Sequence, residues 1–219
     1  MFQTIAPHYD MMNRLMTGGQ DVRWRKQVIR LAQIPPGGRV LDLGAGTGDL
    51  TREALRQVPS CRPVAADYTL GMMQVGKQRS ETMLPWSCTD ATNLPFPDQS
   101  FDVVISGFLL RNVVDLSRVL QEQYRVLKPG GRMVALDTTR PRPSLISPFV
   151  HFYMRRVIPL LGGLLAGERA AYTYLPESSE HFLLAEDLLA RIQAAGFQKA
   201  TFRRLMFGAV AIHWAEKPE

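Results

Sequence analysis

Between residues 39 and 137, short apolar runs alternate with stretches of helical periodicity. Val40-Leu41-Asp42-Leu43, Cys61–Ala66, Leu84–Cys88, Phe101–Ser106 and Arg132–Leu136 read as strands, each a few residues long and bounded by turn formers. Helices are predicted between them. One runs from Asp49 to Val58, and one from Leu70 to Arg79 with Met72, Met73 and Val75 turned inward. A third spans Asp115 to Leu127 with Leu116, Val119, Leu120 and Tyr124 on one face, and Lys128-Pro129-Gly130-Gly131 follows as a tight turn. Such alternation predicts an α/β fold, a doubly wound parallel sheet with helices on both faces.

Both flanks depart from this rhythm. Phe2, Ile5, Ala6, Tyr9, Met12, Asn13 and Met16 recur at helical spacing. Thr17-Gly18-Gly19-Gln20-Asp21 breaks the stripe, with Asp21 expected as N-cap of a second helix carrying Trp24, Val28 and Leu31. These two helices either pad the sheet or form a lid, for which Tyr9, Asp10 and Trp24 supply more chemistry than padding needs. After Asp137, Arg140-Pro141-Arg142-Pro143 is a stiff connector into the largely apolar stretch Pro148–Gly167, interrupted by Arg155, Arg156 and Pro159. That stretch is either packed helix or a cover for a greasy substrate that rests on a membrane surface. Tyr172, Tyr174, Glu177 and His181 cluster in a loop, Glu186–Ala195 reads as a helix ended by Gly196, and Phe197–Met206 and Val210–Glu216 read as closing strands. The expected organisation is one domain. It comprises a helical lid (1–36), a cofactor-binding core (37–137), a substrate-cover insertion (138–182) and a closing helix and strands (183–219).

Composition narrows the class. At 219 residues and 46% hydrophobic, the chain can bury a sizeable core. No apolar run reaches the roughly 20 residues that span a bilayer, and Met1-Phe2-Gln3-Thr4 lacks the basic-then-apolar start of a secretory signal. Cys61 and Cys88 fall in or beside strands, which suggests buried free thiols, a reducing compartment and a cytoplasmic protein. The net charge of +6 has no cluster of Lys and Arg interleaved with aromatics, so nucleic acid is not an expected partner. A basic surface near anionic lipid headgroups fits better.

The candidate chemistry begins at the end of the first strand. Gly44-x-Gly46-x-Gly48 lets a ligand lie against bare backbone, and the amides opening the next helix point at it. The dinucleotide fingerprint is G-x-G-x-x-G, with a pyrophosphate on the helix N-terminus. Here Asp49 stands where a pyrophosphate would approach, and with Asp42 it favours a cationic ligand such as S-adenosylmethionine over NAD. Asp67 ends the second strand roughly 20 residues beyond the glycines, where a carboxylate accepts from ribose hydroxyls. Asp90 and the amide beside it, at the end of the third strand, suit the Watson–Crick edge of adenine. Arg111 and Asn112 follow the fourth strand and face the same crevice, as candidates for substrate contact.

With those residues in place, the chain resembles the class I S-adenosylmethionine methyltransferases, and within them the quinone-biosynthesis C-methyltransferases. The likeness covers nearly the full length. It rests on Phe2-x-x-Ile5-Ala6-x-x-Tyr9-Asp10-x-Met12-Asn13, Gly19-x-Asp21-x-x-Trp24-Arg25, Arg111-Asn112-Val113-x-Asp115 and Tyr172-x-Tyr174-Leu175-x-Glu177-Ser178. The resemblance implies a Rossmann-like sheet, mostly parallel with a closing antiparallel strand, under an N-terminal helical lid. It implies S-adenosyl-L-methionine as co-substrate, bound by Thr47, Asp67, Asp90 and Ala91, with Gly44 and Gly46 giving it room and Gly107 at the position after the fourth strand. Leu109 stands where relatives often have glycine and narrows the crevice; Asp137 replaces a usual glutamate.

The implied reaction is C-methylation of a reduced, prenylated quinone ring, demethylmenaquinol first and a benzoquinol precursor of ubiquinone as the alternative. The methyl is already activated, so alignment and an electron-rich ring carbon are what the protein must supply, without a metal. Arg111 stays protonated and suits phenolate stabilisation or water orientation, and Asn112 fixes the other ring oxygen. Tyr174 joins them in the expected catalytic set. Tyr9, Tyr174, Asp137 and His213 are the candidate bases, His213 being the one more often structural on a closing strand. An oligomer and peripheral membrane contact are compatible with all of this.

Overall fold

A computed structural model describes residues 9–79, 84–140 and 182–219. The described elements are α1 (Tyr9–Met16), α2 (Gln20–Ala32), β1 (Arg39–Leu43), α3 (Asp49–Gln57), β2 (Arg62–Asp67), α4 (Leu70–Arg79) and β3 (Trp86–Cys88). They continue with β4 (Phe101–Gly107), α5 (Leu116–Val126), β5 (Leu127–Thr138), α6 (Ala185–Ala194), β6 (Gln198–Leu205) and β7 (Val210–Glu216).

The strands form one sheet in the order β3-β2-β1-β4-β5-β7-β6. Pairs among β1 to β5 are parallel, and β7 runs antiparallel to both β5 and β6. Among the described strands, β7 is therefore the one that is reversed. Strand order turns back between β1 and β4, and a crevice opens at their carboxyl ends, where open α/β sheets hold ligands.

Period-two alternation divides the core between the two faces. Val103, Ile105, Val134 and Leu136 face one side, with Trp24, Val28 and Ile29 of α2 and Leu50 and Ala54 of α3. Val104, Met133 and Ala135 face the other, with Val119 and Leu120 of α5 and Leu188 and Ile192 of α6.

Four expectations are corrected. Trp24 is buried in the α2 face of the core, where it packs rather than closes a crevice. Asp21 is not the N-cap: Gly19 takes that position at φ 74°, and the buried Asp21 carboxylate accepts from Thr17 Oγ1 at 3.1 Å and Arg25 at 2.6 Å. Cys88 is exposed because β3 is a short edge strand, whereas Cys61 is buried. Lys128-Pro129-Gly130-Gly131 belongs to β5 rather than to a separate turn. Gly130 N donates to Lys217 O at 3.0 Å and Lys217 N to Gly131 O at 2.8 Å. No helix among the described residues is long and apolar enough to cross a membrane.

Candidate active site

Strand register brings the candidate residues into one row. Leu43 pairs with Ala66 on one side and Ser106 on the other, Asp67 pairs with Cys88, and Gly107 with Leu136. One step past the β1 pairs stand Gly44, Asp67 and Gly107, side by side on adjacent strand ends, with Leu136 next along and Asp137 one residue beyond it.

The turn after β1 is built from backbone. Gly44 N and Ala45 N both donate to Ala66 O, at 2.8 and 3.0 Å, and Gly46 N donates to Asp67 Oδ2 at 2.7 Å. Gly44 sits at φ 71°, and a Cβ there would lie 2.8 Å from Leu109 Cδ1, so both conformation and space ask for glycine. The other Asp67 oxygen accepts from Thr69 N at 2.7 Å, just ahead of α4.

Asp42 anchors the turn from beneath. Its Oδ2 accepts from Thr51 N at 2.9 Å and Thr51 Oγ1 at 2.6 Å, clamping the first turn of α3 to β1. Burial pushes the Asp42 carboxyl up to about 7; the Thr51 hydrogen bonds oppose the rise, and the Asp67 and Asp49 charges add to it. Asp49 is not the bare anion expected from the sequence. Arg25 Nη1 lies 2.8 Å from its Oδ2, and Arg52 pairs with its Oδ1.

Asp90 follows β3 in a loop that α5 holds. Arg118 Nε donates to Thr92 O at 3.0 Å, Glu122 accepts from Leu94 N at 2.8 Å, and Arg125 donates to Leu94 O and Phe96 O at 3.0 and 2.8 Å. Asp90 Oδ1 accepts from Thr92 N and Oγ1, both at 2.8 Å, and these bonds hold its carboxyl below the usual range.

These elements enclose a cavity of about 830 Å³. Gly44, Gly46, Asp67, Asp90, Ala91, Gly107 and Asn112 all line it, together with Tyr68, Met72, Phe108, Leu109, Val113 and Val114. A chamber of about 50 Å³ adjoins it through shared walls at Gly44, Gly46, Gly107 and Phe108, and Thr47 lines this smaller space.

Arg111 lines neither cavity. Its side chain is only 4% exposed, with Nη1 3.2 Å from Asp137 Oδ1 and the guanidinium 5.0 Å from the Phe108 ring centre. Burial pushes the Asp137 carboxyl up, and the Arg111 charge opposes that rise. Asn112 Nδ2 donates to Phe108 O at 2.9 Å. His213 is buried within β7; its Nε2 lies 2.9 Å from Ala185 O, and burial lowers its pKa to about 4, a neutral imidazole that packs α6. Tyr174, Glu177, His181 and Pro148–Gly167 lie outside the described residues, as do residues 1–8; of Tyr9 and Asp10 only the backbone is described.

Sequence reasoning missed Phe108, Asp42 as a structural clamp, and Arg25 against the glycine turn. Phe108 adopts φ 59°, a strained conformation for a bulky residue at the wall common to both cavities. No local signal marks it.

Comparison with known proteins identifies the family. The profile of the ubiE/COQ5 methyltransferase family matches residues 1–217. The chain is 46% identical to the ubiquinone/menaquinone biosynthesis C-methyltransferase UbiE of Desulfotalea psychrophila, over 99% of this chain and 89% of that protein. It is 41% identical to the demethylmenaquinone methyltransferase of Thermus thermophilus, over the whole of both. Among solved structures, the fold resembles a chain from the Haloferax volcanii complex of the Trm112 methyltransferase activator with a methyltransferase. That match has a TM-score of 0.72 at 19% identity and covers 100% of this chain and 98% of that one. It also resembles a methyltransferase from Thermotoga maritima, with a TM-score of 0.67 at 19% identity over 99% and 97% of the two chains. A Rossmann-like sheet closed by one reversed strand, a glycine turn at its switch point and a full-length family match converge, and the chain belongs to the ubiE/COQ5 methyltransferase family.

Proposed function

We propose that this methyltransferase moves the methyl group of S-adenosyl-L-methionine to a ring carbon of a reduced, prenylated quinone, demethylmenaquinol in the first instance. The observation that carries the proposal is the composition of the 830 Å³ cavity. Carboxylates and bare glycine backbone line it together with the apolar side chains of Leu109, Val113 and Val114. The full-length relatives named as demethylmenaquinone methyltransferases give the acceptor class.

The residues present fit such a donor. Asp67 suits a ribose, Asp90 and Ala91 suit an adenine edge, and the Gly44–Thr47 turn leaves backbone room that side chains would fill. When bound, S-adenosylmethionine supplies a methyl already activated on a sulfonium. The protein's share is alignment, exclusion of water and support of the acceptor. An oxidised quinone is too electron-poor to attack; a quinol that gives up a phenolic proton places electron density on the adjacent ring carbon.

Arg111 stands behind the Phe108–Asn112 wall, its buried guanidinium paired with Asp137. Its role in the proposal is to favour a phenolate on the ring beyond that wall. Asn112, which lines the cavity, orients a ring oxygen there. Tyr174 remains in the proposed catalytic set. The basic chain and its apolar acceptor fit contact with an anionic membrane surface.

Turnover with reduced demethylnaphthoquinone, its oxidised form, a reduced demethylated benzoquinone and a simple phenol tests the assignment. Methylation of the reduced naphthoquinone with little on the phenol is expected. Methylation of the phenol and neither naphthoquinone form refutes it. Preference for the benzoquinol is the alternative supported by the relative named for both ubiquinone and menaquinone biosynthesis.

A further inference from the structure

The helix pair α1–α2 walls the crevice with one face and leaves the other to solvent. On α1, helical spacing sets Met11 and Leu15 opposite the buried Asn13, and they are 47% and 38% exposed. On α2, Trp24 and Val28 turn into the core, while Val22, Arg23, Lys26 and Arg30 share the outward stripe. Val22 is 36% exposed.

The two ends of α2 orient this face. Arg25, near its start, lies with Gly44 and Gly46 at the crevice. At its other end Leu31 O accepts from Arg132 Nη1 at 3.0 Å, level with Val103 near the start of β4. The exposed apolar side chains therefore stand at the crevice end, and the basic stripe runs away from it. The β6–β7 turn emerges at the crevice end too, because Val210 pairs with Thr138, the last residue of β5. Its Phe207 is 76% exposed at φ 54°, next to Met206 at φ 46°. Two successive non-glycine residues in the left-handed region hold that apolar ring out in water, an outlier that points to a function.

The charge on the helix face has one sign. Arg14, Arg23 and Arg30 are exposed and Lys26 is half-buried, and none of them forms an ion pair with a described residue. The carboxylate described on these helices, Asp21, is buried and held by Arg25, and Glu53, whose charge Lys26 feels, is bound by Arg56. Two-fold pairing with a second copy would set these cations against each other. A nucleic acid gains nothing from Met11, Leu15 and Val22, which offer no ring for a base to stack on. A leaflet of anionic headgroups over hydrocarbon satisfies both the cations and the apolar side chains.

We infer that the outer face of α1–α2, together with Phe207, docks the protein on the anionic surface of a bilayer and brings the crevice to the phase that holds a prenylated acceptor. The purpose of this docking rests on the acceptor assignment above, whereas vesicle binding requires no turnover, so each can fail alone.

Co-sedimentation of the full chain with vesicles tests the inference. Wild type should partition onto mixed phosphatidylglycerol–phosphatidylcholine vesicles about tenfold more strongly than onto phosphatidylcholine alone, and salt should shrink the difference. Arg14→Gln with Arg23→Gln should weaken binding to the anionic vesicles about twentyfold, while Arg191→Gln with Arg203→Gln, exposed on α6 and β6, should stay within about twofold of wild type. Met11→Ser with Leu15→Ser should cost about tenfold on the same vesicles. Phe207→Gly should weaken binding while raising the thermal midpoint, since glycine accepts φ 54° without strain. Equal partition of wild type onto both vesicle types overturns the inference, as do helix-face variants that bind like wild type or a control that loses as much as they do. A wild-type dimer in solution that the Arg14 and Arg23 changes split also overturns it, in favour of a second copy. Wild type that docks as expected yet methylates no quinol instead sinks the acceptor assignment.

Discussion

The Asp67 carboxylate accepts a hydrogen bond from the Gly46 amide at 2.7 Å, tying the end of β2 to the turn after β1. One side chain thereby shapes the glycine turn and faces the cavity that the turn encloses. Asp67→Asn keeps an acceptor in place but removes the charge. It should weaken S-adenosylhomocysteine at least tenfold, about 1.4 kcal/mol, with the thermal midpoint close to wild type. Asp67→Ala also frees the Gly46 amide and should lose both affinity and stability. Calorimetry with parallel melting curves separates the two; full affinity in Asp67→Asn removes this residue from the donor site.

Gly44 and Leu109 are a second coupled pair. Gly44→Ala puts a side chain at φ 71°, worth about 1–2 kcal/mol of strain, and its Cβ meets Leu109 Cδ1 at 2.8 Å. Donor binding should fall sharply. Adding Leu109→Ala removes the collision but not the strain, so affinity should return in part. A double variant no better than the single one contradicts the packing account.

The Arg111–Asp137 pair predicts a split between stability and turnover. Arg111→Ala leaves a buried carboxylate without its partner, a loss of about 3–5 kcal/mol at neutral pH, and should abolish methyl transfer while folded protein still binds S-adenosylhomocysteine. Arg111→Met with Asp137→Asn should recover most of the stability and none of the activity. Urea titration and single-turnover assays read the two effects separately. Activity restored in the double variant would make the pair purely structural.

How far this arrangement was legible in the sequence differs by element. Val103, Ile105, Val134 and Leu136 alternate with Val104, Met133 and Ala135, so the period-two pattern predicts two buried faces before any coordinate is known. Asp67, Asp90 and Asn112 were legible because they stand at strand ends, where topology alone points residues at the crevice. Asp49 misled, since its partner Arg25 lies on α2, an element whose docking no local pattern reveals. The Lys128–Gly131 stretch reads as a turn because the residue its backbone bonds, Lys217, stands far along the chain. Phe108 was invisible for a different reason: nothing in its own propensity calls for a φ of 59°.

Asp42 predicts a pH dependence. Its folded pKa of about 7 lies above the unfolded value of 3.8, so the folded state binds the extra proton. The sign follows: this group's contribution is fully present below about 4 and is lost as pH rises through about 7, by a few kcal/mol at most. Asp42→Asn stays neutral and keeps an acceptor for Thr51. Its stability relative to wild type should therefore rise between pH 4 and pH 7. Denaturant midpoints of both proteins across that window check this, and parallel profiles would contradict it.

The central claim is carbon methylation of a quinol, and isotope transfer tests it most directly. Methyl-labelled S-adenosylmethionine is incubated with prenylated demethylnaphthoquinol held reduced, and the product is located by mass spectrometry and NMR. The account predicts one label per ring, on carbon, with no product when the same ring is held oxidised. Label on a ring oxygen, or equal transfer to the oxidised ring, would contradict it.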